Sequence, residues 1–218
     1  MSNNQTIIDT LDPEVTNRIV EAHDDAYAKF GKLMLLGSAP VVLALASTEA
    51  FAAGGLPQQV VDVLNFALTL EYLEAAFYKT GNGTSGLIPA KYKALFRTIG
   101  QHETAHVKLL KGALGSAAVA APGVDFTAKG KYADVFSNFD TFTTLSMTFE
   151  DLGVAAYKGQ AGNLAGTPVL QTALQIHSVE ARHASAVRRL TGKAGWDGAF
   201  DKPKTKNEVL AAATPFLA

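Results

Sequence analysis

The sequence contains one pattern of acidic and histidine residues twice, and this repeat constrains the fold more than any other feature. In each copy, a lone Glu is followed by a Glu-x-x-His motif. The two copies are Glu71 with Glu103 and His106, and Glu150 with Glu180 and His183. The separation between the lone Glu and the motif is nearly the same in both copies. A constant order at nearly constant spacing indicates two related structural units.

Both copies lie in segments with helical periodicity. From Leu56 onward, long helical patterns alternate with Gly and Pro, without the sustained period-2 alternation of strands. The predicted helices cover residues 57–79, 89–115, 139–160 and 167–192, with a short helix near 206–213. In the fourth helix, Thr167 is the expected N-cap and Pro168 the first helical residue.

The lengths of the connections predict how these helices are arranged. The first and second helices are joined by a short loop, as are the third and fourth, so each pair should form an antiparallel hairpin. The long stretch from Ser116 to Phe139 is rich in Gly, Ala and Pro and separates the two hairpins. We therefore expect an all-α, ferritin-like four-helix bundle over residues 56–192, with a long crossover and a C-terminal tail over 193–218.

A carboxylate interrupts the apolar face of each of the four long predicted helices. In the fourth helix, for example, Glu180 and His183 are the two polar residues in a row of apolar ones. Burying an unpaired carboxylate costs several kcal/mol or more, and no Lys or Arg shares these four rows. Two metal ions would supply the missing positive charge.

The residue types also indicate which metals are suitable. Positions i and i+3 share a helix face, so each Glu-x-x-His can present a carboxylate and an imidazole to one ion. Two motifs and two further Glu residues make four carboxylates and two imidazoles, the set used by di-iron and di-manganese bundles. The chain has no Cys, which excludes thiolate ligands, and oxygen and nitrogen ligands suit iron or manganese.

Three segments resemble the bacterial ferritin-like domain proteins, a group that includes desiccation-related proteins and is akin to rubrerythrin and manganese catalase. They are residues 64–78, 102–106 and 179–183, and the similarity extends over about residues 56–217. The resemblance implies two Fe or two Mn ions. It implies the metal ligands Glu71, Glu103, His106, Glu150, Glu180 and His183.

In this ligand set, we expect Glu103 and Glu180 to bridge the two metals and Glu71 and Glu150 to be terminal ligands. One His is expected on each metal. Tyr78 and Tyr157 are expected to hydrogen-bond a ligand in the other half of the bundle. The alternatives are aromatic residues that only fill the core, and one-electron donors.

Three other polar residues lie close to the motifs. Glu74 is a candidate seventh ligand because its counterpart in the second copy, Gly153, leaves space; the alternative, which we expect, is a partly exposed Glu. His102 and His177 are expected on the outer face or behind the ligands.

The function predicted from this site is an oxidoreductase that acts on peroxide or O2, of the catalase, peroxidase or ferroxidase type. The alternatives are metal binding or storage without turnover, and a structural or stress-protective protein in which metals lock the bundle. The absence of a cysteine-rich electron-transfer domain favours disproportionation or an external reductant. A homo-oligomer is expected, and the net charge of −1 argues against nucleic acid as a partner.

The N-terminal part of the chain, residues 1–55, forms a separate segment. Residues 1–30 carry a net charge of −4, and the run from Leu33 to Thr48 is uncharged. This run is short for a membrane span but matches the apolar core of a signal peptide. Residues 1–52 are then either a leader, with an exported or periplasmic product, or part of a cytoplasmic protein with an apolar N-terminal helix. Membrane association is expected only through residues 33–48.

Overall fold

A computed structural model describes residues 55–218 of the chain. The expectations of a leader and of membrane association through residues 33–48 lie outside the described residues. Within 55–218, no helix is both long enough and apolar enough to cross a membrane.

The described chain is all-helical, and its four long helices form the predicted bundle. They are α1 (Gln58–Gly83), α2 (Lys93–Leu114), α3 (Phe139–Gln160) and α4 (Val169–Leu190), and a short α5 (Lys206–Ala213) follows. Helix α1 packs along α2, and α3 packs along α4, so each pair is a hairpin. The crossover between α2 and α3 begins with a 3-10 turn at Gly115–Ala117. The prediction of a ferritin-like four-helix bundle is confirmed.

Two helices begin where local capping residues place them. At α3, the Asn138 side chain accepts hydrogen bonds from the backbone N–H groups of Asp140 and Thr141. At α5, Thr205 and Glu208 form a capping box, in which each side chain accepts from the other residue's backbone N–H. Both helices begin at the residue expected from the sequence, because these signals are local.

Helix α1 continues four residues beyond its predicted end at residue 79, so that boundary was wrong. Tertiary contacts hold the extra turn. A Cβ atom on Gly81 would lie only 2.3 Å from the Phe142 ring, so glycine lets α3 approach closely. The Asn82 side chain donates to the carbonyl oxygen of Phe96 on α2 at 2.9 Å. Two glycines that were expected in a loop are therefore helical, and one of them gives a neighbouring helix room.

The predicted N-cap of α4 was also wrong. The hydroxyl of Thr167 donates to the carbonyl oxygen of Leu164 at 2.7 Å, directly after the 3-10 turn Ala161–Leu164. The cap position is held by Pro168, and the helix begins at Val169. Helix α4 therefore begins without a side-chain cap.

The core consists of two apolar clusters on either side of the middle of the bundle. The aromatic-rich cluster includes Phe77, Phe96, Phe142 and Phe149. The aliphatic cluster includes Leu64, Leu68, Leu110, Leu164 and Ile176. On α2 and α4, the acidic residue of the motif lies in sequence between residues of one cluster and residues of the other. The polar site therefore lies inside the bundle with apolar packing on either side.

The C-terminal tail packs on α3 and on the crossover. The backbone N–H of Lys204 donates to the carbonyl oxygen of Ala155 at 3.1 Å. Gly159 of α3 lies directly beneath this segment, since a Cβ atom there would be 1.9 Å from the Lys204 carbonyl oxygen. Val124 of the crossover forms an antiparallel β-bridge with Leu217.

Candidate metal centre

Each helix of the bundle contributes one carboxylate of the repeat to the same buried level. Glu103, Glu150 and Glu180 are fully buried and Glu71 is 1% exposed. The two histidines of the motifs, His106 and His183, are also buried. The regular 3.6-residue period of α2 and α4 carries the Glu and the His of each motif to one face. The structure thus brings all six residues expected to bind metal into one site.

The six residues form two groups that share two members. One group contains Glu71, Glu103, His106 and Glu180, and the other contains Glu103, Glu150, Glu180 and His183. In each group, one ligand atom from every residue lies within 4.8 Å of the others. Because Glu103 and Glu180 belong to both groups, their carboxylates lie between two adjoining cation positions.

The distances around His106 fit a shared cation better than a hydrogen bond. Its Nδ1 atom lies 3.2 Å from Glu71 Oε2, 3.3 Å from Glu103 Oε2 and 3.1 Å from Glu180 Oε1. A single N–H cannot serve three acceptors well. Two ligand atoms bound to one ion at about 2.1 Å and at right angles would be roughly 3.0 Å apart, close to the observed separations.

His183 has the same arrangement in the second group. Its Nδ1 atom lies 3.0 Å from Glu103 Oε1 and 3.2 Å from Glu150 Oε2. Despite these short distances, His183 Nδ1, Glu103 Oε1 and Glu150 Oε2 make no hydrogen bond of acceptable geometry within residues 55–218. Both oxygens of Glu180 are likewise buried and without a hydrogen bond there. Buried polar atoms of this kind require another partner, and a cation fits them.

The charge balance leads to the same result. Five carboxylates are buried at this level, those of Glu71, Glu74, Glu103, Glu150 and Glu180, whereas no Lys or Arg is buried within residues 55–218. Two imidazolium groups would leave a net charge of −5 + 2 = −3. Two divalent ions with neutral imidazoles would leave −5 + 4 = −1. The residues present therefore fit a pair of divalent cations.

In the metal-free protein, the site holds protons in place of cations. Burial and the carboxylate of Glu180 raise the pKa of Glu103 to about 7, and burial and Glu71 raise the pKa of Glu180 to about 8. Burial acts to lower the pKa of His183, but the adjacent carboxylates of Glu103 and Glu150 raise it to about 10. Metal ions would displace these protons, since metal ligands bind in their deprotonated forms.

The two tyrosines connect the halves of the bundle. The Tyr157 hydroxyl donates to Glu71 Oε1 at 2.6 Å, and the Tyr78 hydroxyl donates to Glu150 Oε1. Each tyrosine therefore contacts the lone Glu of the other copy. Burial and the adjacent carboxylate raise the pKa of both phenols, which keeps them protonated as donors. Each hydrogen bond leaves the second carboxylate oxygen of its Glu facing a histidine.

Glu74 is 2% exposed, so the expectation of a partly exposed side chain was wrong. Its carboxylate occupies space over Gly153 of α3. A Cβ atom on Gly153 would lie 3.4 Å from Glu74 Oε1 and 3.0 Å from Glu180 Oε2. Glu74 Oε2 has no hydrogen bond within residues 55–218, and burial and Glu180 raise its pKa well above the ordinary value. Gly153 therefore lies against both carboxylates and is closer to that of Glu180.

His102 lies on the exposed face of α2 and contacts a predicted ligand from behind, which agrees with the expectation from the sequence. Its Nδ1 atom lies 2.9 Å from His183 Nε2, across the interface between α2 and α4. Its position off the apolar face of α2 gives no sign of this partner, which belongs to a different helix. The comparison of the two copies carries the only sequence signal, because Val179 holds the equivalent position in the second copy. His177 is half-buried, and burial and Lys158 lower its pKa.

A four-helix bundle that buries two adjoining groups of carboxylates and imidazoles is compatible with a metal-binding class of bundle protein. The chain belongs to the ferritin-like domain family, which matches residues 59–193. That match spans all six residues of the site and confirms the resemblance at the level of the family. Assignment to the desiccation-related group stays a prediction. No curated protein matches the chain.

Proposed function

We propose that this protein is a dinuclear iron or manganese oxidoreductase that acts on peroxide or O2. The observation that carries the proposal is the sharing of Glu103 and Glu180 between two adjoining groups of ligands. A carboxylate shared in this way holds two ions close together. Bound iron or manganese would supply the electrons exchanged with peroxide or O2.

The side chains of the site have distinct tasks in this proposal. Glu103 and Glu180 would be shared by the two ions, while Glu71 with His106 and Glu150 with His183 would each complete the ligands of one ion. The phenols of Tyr157 and Tyr78 hold Glu71 and Glu150 by one oxygen each and leave the other oxygen to face the site. The apolar clusters on either side limit access of water to the reacting atoms.

Glu74 is proposed as a seventh ligand. It is buried like the six other ligands, and its Oε2 atom has no hydrogen bond within residues 55–218. Because Gly153 leaves room beside it, its carboxylate can move relative to Glu180 without a clash against α3. The test is Glu74→Gln, which should lower peroxide turnover at unchanged fold; unchanged metal content and turnover would contradict this role.

The proposed function is tested on protein purified from its host. We expect elemental analysis to find two Fe or two Mn ions per chain. An oxygen electrode distinguishes the reactions, because disproportionation releases one O2 for every two H2O2 consumed, whereas reduction of H2O2 by an external reductant releases none. Oxidation of added Fe2+ under air tests the ferroxidase alternative on the same sample.

A pair of variants on α1 provides the control. Glu71→Gln removes a carboxylate of the site and should reduce both metal content and turnover. Asp62→Asn removes an exposed carboxylate of the same helix and should change neither. Two bound ions with no turnover of peroxide, O2 or Fe2+ would contradict the oxidoreductase and support the structural, stress-protective alternative. Large multi-subunit shells on size exclusion would support storage.

A further inference from the structure

The two ring nitrogens of His183 face two different partners. The Nδ1 atom lies 3.0 Å from Glu103 Oε1, inside the candidate centre. The Nε2 atom lies 2.9 Å from Nδ1 of His102, which reaches it from α2. The two rings are inclined by only 15°, with their centroids 5.1 Å apart. His102 is thus a direct neighbour of a proposed ligand on the side away from the metal positions.

This contact determines which nitrogen of His183 can bind a cation. A neutral imidazole carries one proton, and a nitrogen that binds metal must be without it. If Nε2–H donates to His102 Nδ1, the Nδ1 atom of His183 is left unprotonated toward Glu103 and Glu150. The same hydrogen bond limits rotation of the ring. Hydrogen-bond partners of metal-binding histidines typically raise metal affinity by about 10- to 100-fold.

The second copy of the repeat lacks the corresponding contact. The residue before the Glu of the motif is His102 in the first copy and Val179 in the second. The valine side chain has no atom that accepts a hydrogen bond. Within residues 55–218, His106 makes hydrogen bonds only through Nδ1, to Glu71 and Glu103. The two metal positions therefore have equivalent ligands and different surroundings.

We propose that His102 is a positioning residue for His183, and that it makes the metal position of His183 the tighter of the two. This inference rests on the dinuclear centre of the proposed function. Its consequence is an order of loading: the first ion added to the metal-free protein occupies the position of His183. The ion at His106 follows.

The test measures Mn2+ affinity in variants that retain one histidine of the centre. His106→Ala leaves the position of His183, and His183→Ala leaves the position of His106. Titration calorimetry and the electron paramagnetic resonance signal of free Mn2+ give the dissociation constant of each variant. Adding His102→Leu should weaken binding about 10- to 100-fold in the first variant and leave the second unchanged.

Two further substitutions separate the hydrogen bond from the packing of the ring. His102→Gln retains a side-chain oxygen that accepts a hydrogen bond, so it should restore most of the affinity lost in His102→Leu. Val179→Leu is the matched control at the equivalent position and should have no effect in either variant. Circular dichroism of the metal-free proteins checks that each one folds.

Loading of the complete site provides a second measurement, which applies even if a single-histidine variant fails to fold. Anomalous scattering from crystals with one equivalent of Mn2+ should locate the ion beside His183, and His102→Leu should abolish this preference. An equal loss of affinity at both positions, or an unchanged preference in His102→Leu, would overturn the inference alone. If the wild-type protein binds neither Mn2+ nor Fe2+, the proposed function fails, and the inference fails with it.

Discussion

Gly153→Ala should stabilise the helix slightly and weaken metal binding at the same time. Gly153 lies inside α3, and the three atoms nearest to a Cβ at this position all belong to carboxylates. They are Glu180 Oε2 at 3.0 Å, Glu74 Oε1 at 3.4 Å and Glu180 Cδ at 3.6 Å. No backbone atom is among them. The new methyl group therefore acts on the candidate centre and not on the packing of the helices.

The effect on the fold follows from helix propensity. Alanine is favoured over glycine inside a helix by about 0.8–1.0 kcal/mol. Glu180 lies at the end of a flexible side chain and has to withdraw by about 0.4 Å to reach an ordinary contact distance, from the 3.0 Å that the substitution would create. The free energy of unfolding of the metal-free protein should therefore be unchanged or higher by up to about 1 kcal/mol.

The effect on metal binding has the opposite sign. Glu180 belongs to both groups of ligands, so its displacement affects both positions. Metal–ligand distances are defined to within about 0.2 Å, and a shift of about 0.4 Å exceeds this tolerance. We expect affinity for Mn2+ to fall by about tenfold, which corresponds to about 1.4 kcal/mol.

Urea unfolding of the metal-free protein and calorimetric titration with Mn2+ measure the two effects separately. Gly83→Ala is the control, because a Cβ on this helical residue would have no neighbour within 4 Å. It should leave Mn2+ affinity unchanged. The reasoning is refuted if Gly153→Ala binds Mn2+ as tightly as the control, or if it destabilises the metal-free protein by more than about 1 kcal/mol.

Three further predictions concern the stability of the whole domain. Chelation should lower the melting temperature by roughly 10–20 °C, because two ions at 100 times their Kd contribute about 5 kcal/mol, and calorimetry with and without chelator measures this. Glu103 and Glu180 bind protons more tightly in the folded protein, with a pKa of about 7 and about 8 against 4.5. Metal-free protein should therefore lose stability in urea as the pH rises from 4.5 to 8, and a stability that rises over this range would contradict the protonated site. Gly159→Ala would place a Cβ atom 1.9 Å from the Lys204 carbonyl oxygen. It should lower the free energy of unfolding by about 2 kcal/mol, whereas Gly162→Ala, with no neighbour within 4 Å, should not.

Local sequence signals were sufficient for much of the secondary structure. The first residues of α3 and α5 could be predicted because Asn138 and the Thr205–Glu208 pair cap the N-termini of their own helices. The end of α1 could not be predicted in this way. Gly81 normally favours a loop, but in this protein it gives the Phe142 ring room to pack against the helix. The loop preference of a single residue is outweighed when packing against a neighbouring helix stabilises the helical conformation.

The candidate centre likewise combines features that the sequence predicts with features that depend on the packing of different helices. The repeat of Glu and Glu-x-x-His, with its helical period, is sufficient to place carboxylates and imidazoles on the inward faces of four helices. The burial of Glu74 could not be predicted in this way, because the helices that surround its carboxylate, including α3 with Gly153, are brought beside it only by folding. The hydrogen bond of Tyr157 to Glu71 also joins two different helices, but it was expected from the sequence, because each tyrosine follows its Glu on the same helix face.

The sequence by itself determined the class of fold, the candidate ligands and the kind of metal they suit, because periodicity and residue chemistry are properties of single segments. The tertiary structure decided which further glutamate is buried beside the candidate ligands, and that His102 contacts His183. These features depend on distances between helices, and such distances are set by the packing of side chains from all four helices at once.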